Sequence, residues 1–284
     1  MELILATIVG LALFIFIALF LHKYRAKLGT RGNQLSNHLQ IMVDAQQSNF
    51  ETSGKVLGDS VRLVGDLVDA YYKVSSLIQA SGIGPTDEMI SVGQSMLFGQ
   101  HQLVQASLAT LRGHLNDSYL YTRRSIEVCA FAHRIVKHPH LAEVWIKAGD
   151  TDEAYEEYKR KFSPGKIFER DHEFLGELYE RYGICSKKSH PSLYAFAGQL
   201  EVSSVPGEEL LRFNAFQLHH GERSEPIRTL LWIVDTNFRA LRLYADLLGT
   251  FERYRIAEAN RVVDDFGRQF EAEKENWKEV ILTR

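Results

Sequence analysis

Residues 57–78 of this chain, LGDSVRLVGDLVDAYYKVSSLI, contain the apolar pattern that decides the fold. One set of residues recurs at alternating spacings of four and three, the heptad pattern of a coiled coil. Its members are Leu57, Val61, Val64, Val68, Tyr71, Ser75 and Ile78, of which only Ser75 is polar. A second set lies on a neighbouring face and comprises Leu63, Leu67, Ala70, Val74 and Leu77. An apolar face this wide is typical of a helix in a bundle, whereas a two-stranded stalk needs only a narrow seam. We therefore expect bundle packing, with a dimeric stalk over residues 54–81 as the alternative.

Most of the chain repeats the helical period of 3.6 residues between breaks rich in glycine and proline. Thr86 and Asp150 are expected to cap the helices that follow them, because their side-chain oxygens can accept from free backbone N–H groups. A strongly apolar helix follows Ser224, and its expected core residues are Leu230, Val234, Phe238 and Leu241. Residues 199–221 instead alternate with a period of two, which predicts a small β-hairpin insertion. The sequence thus predicts an all-α, multi-helix bundle with one hairpin.

An apolar run precedes the bundle at residues 3–21, LILATIVGLALFIFIALFL. A helix of this length spans most of a hydrocarbon core of ~30 Å. A cleaved secretory signal would instead need a basic start, a shorter apolar core and a cleavage site of small residues. The only charge before the run is the acidic Glu2. We therefore expect an uncleaved, single-pass transmembrane helix.

The charges behind this run set the expected topology. Four cations follow it before the first acidic residue, Asp44, and they are Lys23, Arg25, Lys27 and Arg31. Because basic residues flanking a transmembrane helix stay on the cytoplasmic side, we expect a cell-membrane protein whose C-terminal domain is cytoplasmic. The lipid bilayer is then one of its partners. The expected layout is a transmembrane anchor with its basic flank (1–28), a juxtamembrane linker with the long heptad-patterned helix (29–85), and a helical bundle domain (86–284).

The charge balance of the chain bears on its partners. The formal net charge is −3, and the first 43 residues carry four cations against one carboxylate, so the remainder is more acidic than the whole. An acidic body argues against a broad nucleic-acid footprint, because such a surface repels phosphate. RNA is therefore a less favoured partner, although a local basic groove would still accommodate it.

The cysteines and histidines predict neither a metal nor a cofactor. Cys129 and Cys185 have no CxxC spacing and are expected to be reduced thiols in or near the core, as in cytoplasmic proteins. The spacing of His133, His138 and His140 does not place three imidazoles on one helical face, as a zinc site requires. No specific cofactor-binding motif occurs in the sequence, and we expect no cofactor.

Arg124 and Glu127 are the first candidate site residues. They lie in an otherwise apolar helical stretch and, at a spacing of three, share one face on which they can pair. One interpretation is an internal ion pair that fixes the register of the helix. The other is a functional guanidinium that binds a phosphate or carboxylate, in which case both residues are catalytic candidates.

Residues 186–192, SKKSHPS, form the most distinctive local string. Pro191 disfavours the α conformation at His190, so this imidazole is expected at a helix junction and is the third catalytic candidate. Lys187 and Lys188 add positive charge, which makes them candidates for binding a phosphate or another anion. The alternative is a solvated corner between two helices.

The order of these features resembles a group of uncharacterised bacterial helical proteins related to the HEPN superfamily. The resemblance covers roughly residues 91–248 and rests on the helix with Arg124 and Glu127, a short helix with Trp145, an amphipathic helix that ends at residues 179–182, and the SHPS string at 189–192. It implies a helical bundle. In HEPN ribonucleases, an Arg-x4–6-His motif on a helix places both side chains against the scissile phosphate.

The matches to that motif are incomplete in this chain. Arg134 and His140 have the spacing but are separated by Pro139, and Arg212 and His219 have it on a segment predicted to be extended. Two other pairs are too far apart in sequence: Arg124 with His133, and Arg181 with His190. The resemblance therefore implies the helical bundle more than it implies cleavage of RNA.

Two functions remain open from the sequence. The first is a membrane-anchored interaction or sensing module that self-associates and binds a protein partner whose identity the sequence does not give. The second is a HEPN-like, metal-independent endoribonuclease that acts at the membrane in a defence or toxin system. They differ in one structural requirement, since a ribonuclease must bring an arginine and a histidine together in one cleft.

Overall fold

The computed structural model describes residues 37–80, 86–169, 173–190, 200–205, 208–213, 224–251 and 256–278. Helices dominate these residues, which confirms the all-α class. The helices are α1 (Asn37–Val56), α2 (Gly58–Ala80), α3 (Asp87–Leu111), α4 (Leu115–Lys137), α5 (Leu141–Ile146), α6 (Asp152–Lys161), α7 (Pro164–Ile167), α8 (Glu173–Ser189), α9 (Ser224–Leu248) and α10 (Ile256–Asn276). A 3₁₀ turn, Lys147–Gly149, connects α5 to the loop before α6.

Two strands lie within the range in which the sequence predicts a hairpin. They are β1 (Leu200–Val205) and β2 (Glu208–Phe213), which pair in antiparallel register with Leu200 opposite Phe213 and Val205 opposite Glu208.

Local capping explains where two of the helices begin. Thr86 caps α3 as predicted, because its hydroxyl accepts from the N–H of Met89 at 3.3 Å. The cap predicted at Asp150 is wrong, since Asp150 has helical dihedrals at the end of the 3₁₀ turn. The next residue, Thr151, has the extended backbone that an N-cap needs, and its hydroxyl accepts from the N–H of Ala154 at 3.1 Å.

Helix α9 lies at the centre of the bundle. It packs against α2, α3, α4, α8 and α10. The four predicted core residues, Leu230, Val234, Phe238 and Leu241, are all buried, and three of them are fully inaccessible to solvent. The prediction that this helix is central to the core is therefore confirmed.

Helix α2 is a bundle helix and not an isolated stalk. Its second apolar set, the one on the neighbouring face, is buried: Leu63, Leu67, Ala70, Val74 and Leu77. The heptad set is covered less completely, with Val61, Val64 and Val68 only half-buried. Because α2 packs against α3, α9 and α10, the wide apolar face is used as predicted.

A buried polar network fixes the register of α2 and α4 against α9. The Tyr71 hydroxyl of α2 donates to the backbone carbonyl of Asn237 at 2.9 Å. The Ser125 hydroxyl of α4 donates to the side-chain oxygen of Asn237 at 2.5 Å, while the Asn237 amide donates to the Ile233 carbonyl at 2.9 Å. Since Tyr71, Ser125 and Asn237 are almost completely inaccessible to water, a shift of any of the three helices would leave polar groups unpaired.

The chain divides into two compact units, Met1–Ala45 and Gln46–Arg284. Within the second unit, α2 packs against α3 and α10. No helix among the described residues is long and apolar enough to cross a bilayer. Residues 3–21, on which the prediction of a transmembrane helix rests, lie outside the described residues, so that prediction is untested.

Candidate functional site

The two adjacent arginines of α4 have different environments. The Arg123 side chain lies against α8, where Nε donates to the Glu127 carboxylate at 3.1 Å and a terminal nitrogen donates to the Tyr182 hydroxyl at 3.0 Å. Arg124 is exposed. The predicted pair of Arg124 with Glu127 is therefore wrong, because the face of α4 that packs on α8 is the one that bears Arg123 and Glu127 at a spacing of four.

The interaction of Arg123 with Glu127 and Tyr182 is mainly structural. Burial acts against the charged form of Arg123, but the Glu127 carboxylate and Tyr182 outweigh that effect and raise the pKa of the guanidinium. The guanidinium also lies 5.0 Å from the centre of the Tyr182 ring. The contact with Glu127 lies within α4, whereas the two contacts with Tyr182 join α4 to α8, so Arg123 links the two helices.

The other predicted site residues do not join this pair. His190 follows the last turn of α8 and is exposed, and its backbone N–H donates to the Ser186 carbonyl at 3.1 Å. Lys187 is also exposed, whereas the Lys188 ammonium lies 5.7 Å from the centre of the Tyr119 ring. No hydrogen bond or ion pair within the described part of the chain links His190 to Arg124 or Glu127, so the three catalytic candidates do not form one site.

A different arginine and histidine do converge, at the end of α4. Arg134 and His138 both contact the Glu169 carboxylate, with the imidazole Nε2 at 3.0 Å, and the Lys137 ammonium lies 2.9 Å from the same group. Burial raises the pKa of Glu169, but the hydrogen bond from Lys137 and the charges of His138, Lys137 and Arg134 outweigh it, so the pKa is lowered. Sequence spacing missed this cluster because only three residues separate Arg134 from His138.

Arg134 is also bound by the backbone that follows α6. It donates to the carbonyl oxygens of Lys161, at 3.2 Å, and Lys166, at 3.0 Å, in addition to the Glu169 carboxylate. His140, which has the motif spacing, is exposed beyond Pro139. Arg134 therefore holds the segment around α7 in place, and its donors are engaged.

The cysteines and the potential metal ligands offer no reactive centre in the described residues. Cys129 and Cys185 are buried and free, which confirms their predicted location in the core. Burial raises the pKa of both thiols, to about 12 for Cys185, so neither is a thiolate at neutral pH. Over the part of the chain that the structure describes, His, Cys, Asp and Glu form no group of three suited to a metal ion.

An aromatic cleft lies at the junction of α3, α4, α5 and α6. It has a volume of about 270 Å³, and its lining residues, which define the aromatic cleft, are Gln94, Ser95, Phe98, Val128, Phe131, Trp145 and Tyr158. Four of these seven side chains are aromatic, and none carries a formal charge at neutral pH.

Phe131 organises the rings of the cleft. Its ring centre lies 5.9 Å from that of Trp145 in a T-shaped arrangement, 6.3 Å from Tyr158 and 4.3 Å from Phe162. Helix α6, which carries Tyr158, has no buried residue of its own. Ring contacts of this kind contribute about 0.5–1.5 kcal/mol each beyond the burial of area, and they hold α6 beside the cleft.

The cleft has a polar side formed by α3. Ser95 is only 5% exposed, and none of the described residues forms a hydrogen bond with its hydroxyl. Gln94, the residue before Ser95, is exposed and adds a side-chain amide to this side of the cleft. Burial, with smaller contributions from Tyr155 and Glu127, raises the pKa of Tyr158, so the phenol stays protonated as a donor.

Sequence reasoning missed the aromatic cleft because four helices contribute one to three residues each. One local signal was available. Tyr155, Tyr158 and Phe162 recur at spacings of three and four in a segment that is otherwise dominated by Glu, Lys and Arg. Such a narrow aromatic face on a charged helix indicates contact with another aromatic surface.

Scans against protein-family profiles, curated proteins and solved structures found no match to this chain.

Proposed function

We propose that this protein is a membrane-tethered binding or sensing module, whose cytoplasmic helical domain recognises a partner through the aromatic cleft. The observation that carries this proposal is the combination of four aromatic side chains in the cleft with exposed apolar residues that adjoin them in sequence or stack on them. The tether is supported by the apolar run at 3–21 and the cations that follow it.

Exposed apolar side chains near the cleft support a role in binding, because their apolar surface remains in contact with water in the folded chain. Leu97, Phe98, Ile146 and Tyr155 are each between 44% and 51% exposed and are here called the rim. Phe98 lines the cleft, Leu97 and Ile146 adjoin lining residues in sequence, and the Tyr155 ring stacks on that of Tyr158 at 6.1 Å. Apolar residues clustered in this way mark interaction sites on soluble domains. Aromatic residues in such clusters contribute a large share of binding free energy, since each ring buries a large area with few rotatable bonds.

The charged groups of the bundle support binding over chemistry. Several arginines are engaged with carboxylates of the same domain, among them Arg123 with Glu127, Arg134 with Glu169, Arg181 with Asp235, and Arg239 with Glu177. A guanidinium paired in this way must break its ion pair before it can bind a phosphate, at a cost in free energy.

Photocrosslinking in cells tests the proposed binding surface. A benzoylphenylalanine introduced at Leu97, on the rim, is expected to give adducts with a protein or a small molecule that mass spectrometry detects. The same group at Tyr72, which is 67% exposed on α2 and not part of the aromatic cleft, is the control. Adducts from Leu97 should be lost when Phe98→Ala is added. Equal yields from both positions, or none from Leu97, would remove the aromatic cleft as the binding surface.

Self-association is the second part of the proposal. Helix α1 begins with exposed apolar residues, among them Ile41, Met42 and Val43, which are 38–64% exposed. We expect Ile41→Glu to shift the full chain toward the monomer in sedimentation velocity, whereas Gln40→Glu, on an exposed polar position, should not. An unchanged distribution in both variants would contradict self-association through α1.

The proposed topology is tested separately. A reporter that is active only in the periplasm, fused after Arg284, is expected to be inactive, while a cytoplasmic reporter at the same position should be active. The reverse result would overturn the cytoplasmic orientation.

A second candidate function, the HEPN-like ribonuclease, is favoured by the convergence of Arg134 and His138 on Glu169. This function would require Arg134 to exchange its present acceptors for a phosphate. It predicts that the purified chain degrades RNA in the presence of EDTA, that His138→Ala abolishes the activity, and that His140→Ala retains it. Absence of degradation by the wild type, at concentrations at which the chain is folded, would eliminate this candidate.

A further inference from the structure

The size and walls of the aromatic cleft limit what it can hold. Its volume of about 270 Å³ lies just below the range of about 300–1,000 Å³ of sites for drug-sized ligands. Phe131 and Trp145 meet at an interplanar angle of 64°, so a flat group that stacks on one ring meets the edge of the other. These walls suit a planar group of one or two fused rings better than a flexible chain.

The charges around the aromatic cleft favour a neutral ligand. None of the seven lining residues in the described part of the chain is an Asp, Glu, Lys or Arg. The carboxylate that influences Tyr158 is that of Glu127, and it is already paired with Arg123 at 3.1 Å. A cationic ligand would therefore gain only the attraction of the rings, and an anionic ligand would find no cation among the lining residues.

The polar side of the aromatic cleft favours a ligand with a heteroatom at its edge. The Ser95 side chain is more than nine-tenths buried, lines the cleft, and has no hydrogen-bond partner among the described residues. Solvent still reaches this hydroxyl oxygen, so a ligand donor or acceptor would replace a hydrogen bond to water. The Gln94 amide, next along α3, lies at the same side of the cleft.

We propose that the aromatic cleft binds a neutral, planar heteroaromatic group of one or two fused rings, which stacks against Trp145 and Phe131 and forms a hydrogen bond with Ser95. This inference rests on the proposed binding function and gives its ligand class. In this proposal the group belongs to a small molecule. The experiments below distinguish such a ligand from a flat heteroaromatic side chain of a protein partner.

Titration calorimetry of the full-length chain with indole tests the ligand class. Indole is neutral, planar and bicyclic and carries one N–H donor. We expect saturable binding, with hexanol and tetramethylammonium at least tenfold weaker. Tighter binding of tetramethylammonium would overturn the neutral class, and tighter binding of hexanol would overturn the planar one.

Two pairs of variants locate the bound group. Phe98→Ala, in the lining, is expected to weaken indole at least tenfold, whereas Tyr72→Ala, at an exposed position of α2 outside the cleft, should leave its affinity unchanged. Ser95→Ala is expected to weaken indole about fivefold, the equivalent of about 1 kcal/mol for one hydrogen bond. With 1-methylindole, which lacks the donor, Ser95→Ala should have no effect. Equal losses for both ligands, or none for indole, would remove Ser95 from the proposal.

The outcomes also separate this inference from the proposed function. If no indole binds, but Leu97 crosslinks to a protein and Phe98→Ala abolishes the adduct, the aromatic cleft is a binding surface and the small-molecule inference is wrong. If indole does not bind and Leu97 gives no adduct, both are wrong. Val128→Trp fills the cleft and should abolish indole binding while the helical circular dichroism stays unchanged. Retained indole binding in this variant would place the site elsewhere.

Discussion

Gly267 of α10 lies against the ring of Phe238 on α9, and its replacement tests how these two helices pack. A Cβ at Gly267 would lie 2.9 Å from Cζ and 3.6 Å from Cε1 of Phe238, the first well below the ~3.5–4.0 Å at which carbon atoms attract. The ring has little room to move, because Phe238 is only 8% exposed and its centre lies 5.2 Å from Phe266 and 6.1 Å from Phe270. Gly267→Ala therefore forces an overpacked core.

Two opposing terms set the expected magnitude. Overpacking a well-packed core costs about 1–3 kcal/mol, while alanine is favoured over glycine inside a helix by about 0.5–1 kcal/mol. We expect Gly267→Ala to lower the free energy of unfolding by about 1 kcal/mol. The matched control is Gly65→Ala in α2, where a Cβ would meet nothing within 4 Å, so only the helix term applies and the free energy of unfolding should rise by about 0.5–1 kcal/mol.

Urea denaturation of the full-length chain, followed by far-ultraviolet circular dichroism, measures both changes. Phe238→Leu provides a second control, because without the ring Gly267→Ala should become neutral or stabilising. If Gly267→Ala stabilises the wild type as Gly65→Ala does, α9 and α10 do not pack as described, and the reasoning is refuted.

Three further predictions concern polar contacts, each measured by urea denaturation. Arg123→Ala should lower the free energy of unfolding by about 2 kcal/mol, because it removes an ion pair, a hydrogen bond and a cation–π contact. Arg124→Ala, at an exposed position, should change the free energy of unfolding by less than about 0.5 kcal/mol. If Arg124→Ala destabilises the chain more than Arg123→Ala does, Arg124 is the inward-facing residue. Glu169 has a pKa below its ordinary value of 4.5, so its carboxylate stabilises the fold above that pH and the stabilisation is lost as the pH falls through the lower folded value. Below about pH 4.5 the wild type should lose stability more steeply than Glu169→Gln, and parallel curves would contradict this. Ser125→Ala should cost about 1–3 kcal/mol by leaving a buried amide oxygen unpaired, while Ser76→Ala, whose hydroxyl bonds only within its own helix, should cost less than about 0.5 kcal/mol.

Patterns confined to one helix could be predicted from the sequence. The width of the apolar face in α2 distinguishes a bundle helix from a stalk, because a wide face must be buried against more than one neighbouring helix. The apolar periodicity after Ser224 identifies the central helix for the same reason, and Leu230 and Val234 are indeed buried. These predictions depend only on how much apolar surface a segment must bury, which is a property of its own sequence.

Choices between neighbouring positions could not be predicted. Arg123 and Arg124 both have a possible partner in Glu127, at spacings of four and three, and the sequence does not say which face of α4 meets α8. The structure decides in favour of Arg123 because Tyr182 supplies a second acceptor on that face. The convergence of His138 on Glu169 depends in the same way on where the chain returns after α6.

The short helices α5 and α6 explain why a binding surface forms where it does. The long helices bury their apolar faces against one another, but α6 has no buried residue and is positioned by the rings of Tyr158 and Phe162 against Phe131. A ligand that fills the aromatic cleft would cover the exposed parts of Trp145 and Tyr158 and so add to the contacts that hold α6. By mass action, binding of this kind stabilises the conformation that presents the cleft, by an amount that grows with ligand concentration relative to Kd. Occupancy of the aromatic cleft and the stability of α6 are therefore linked, and this link is the physical basis on which a binding module of this construction can act as a sensor.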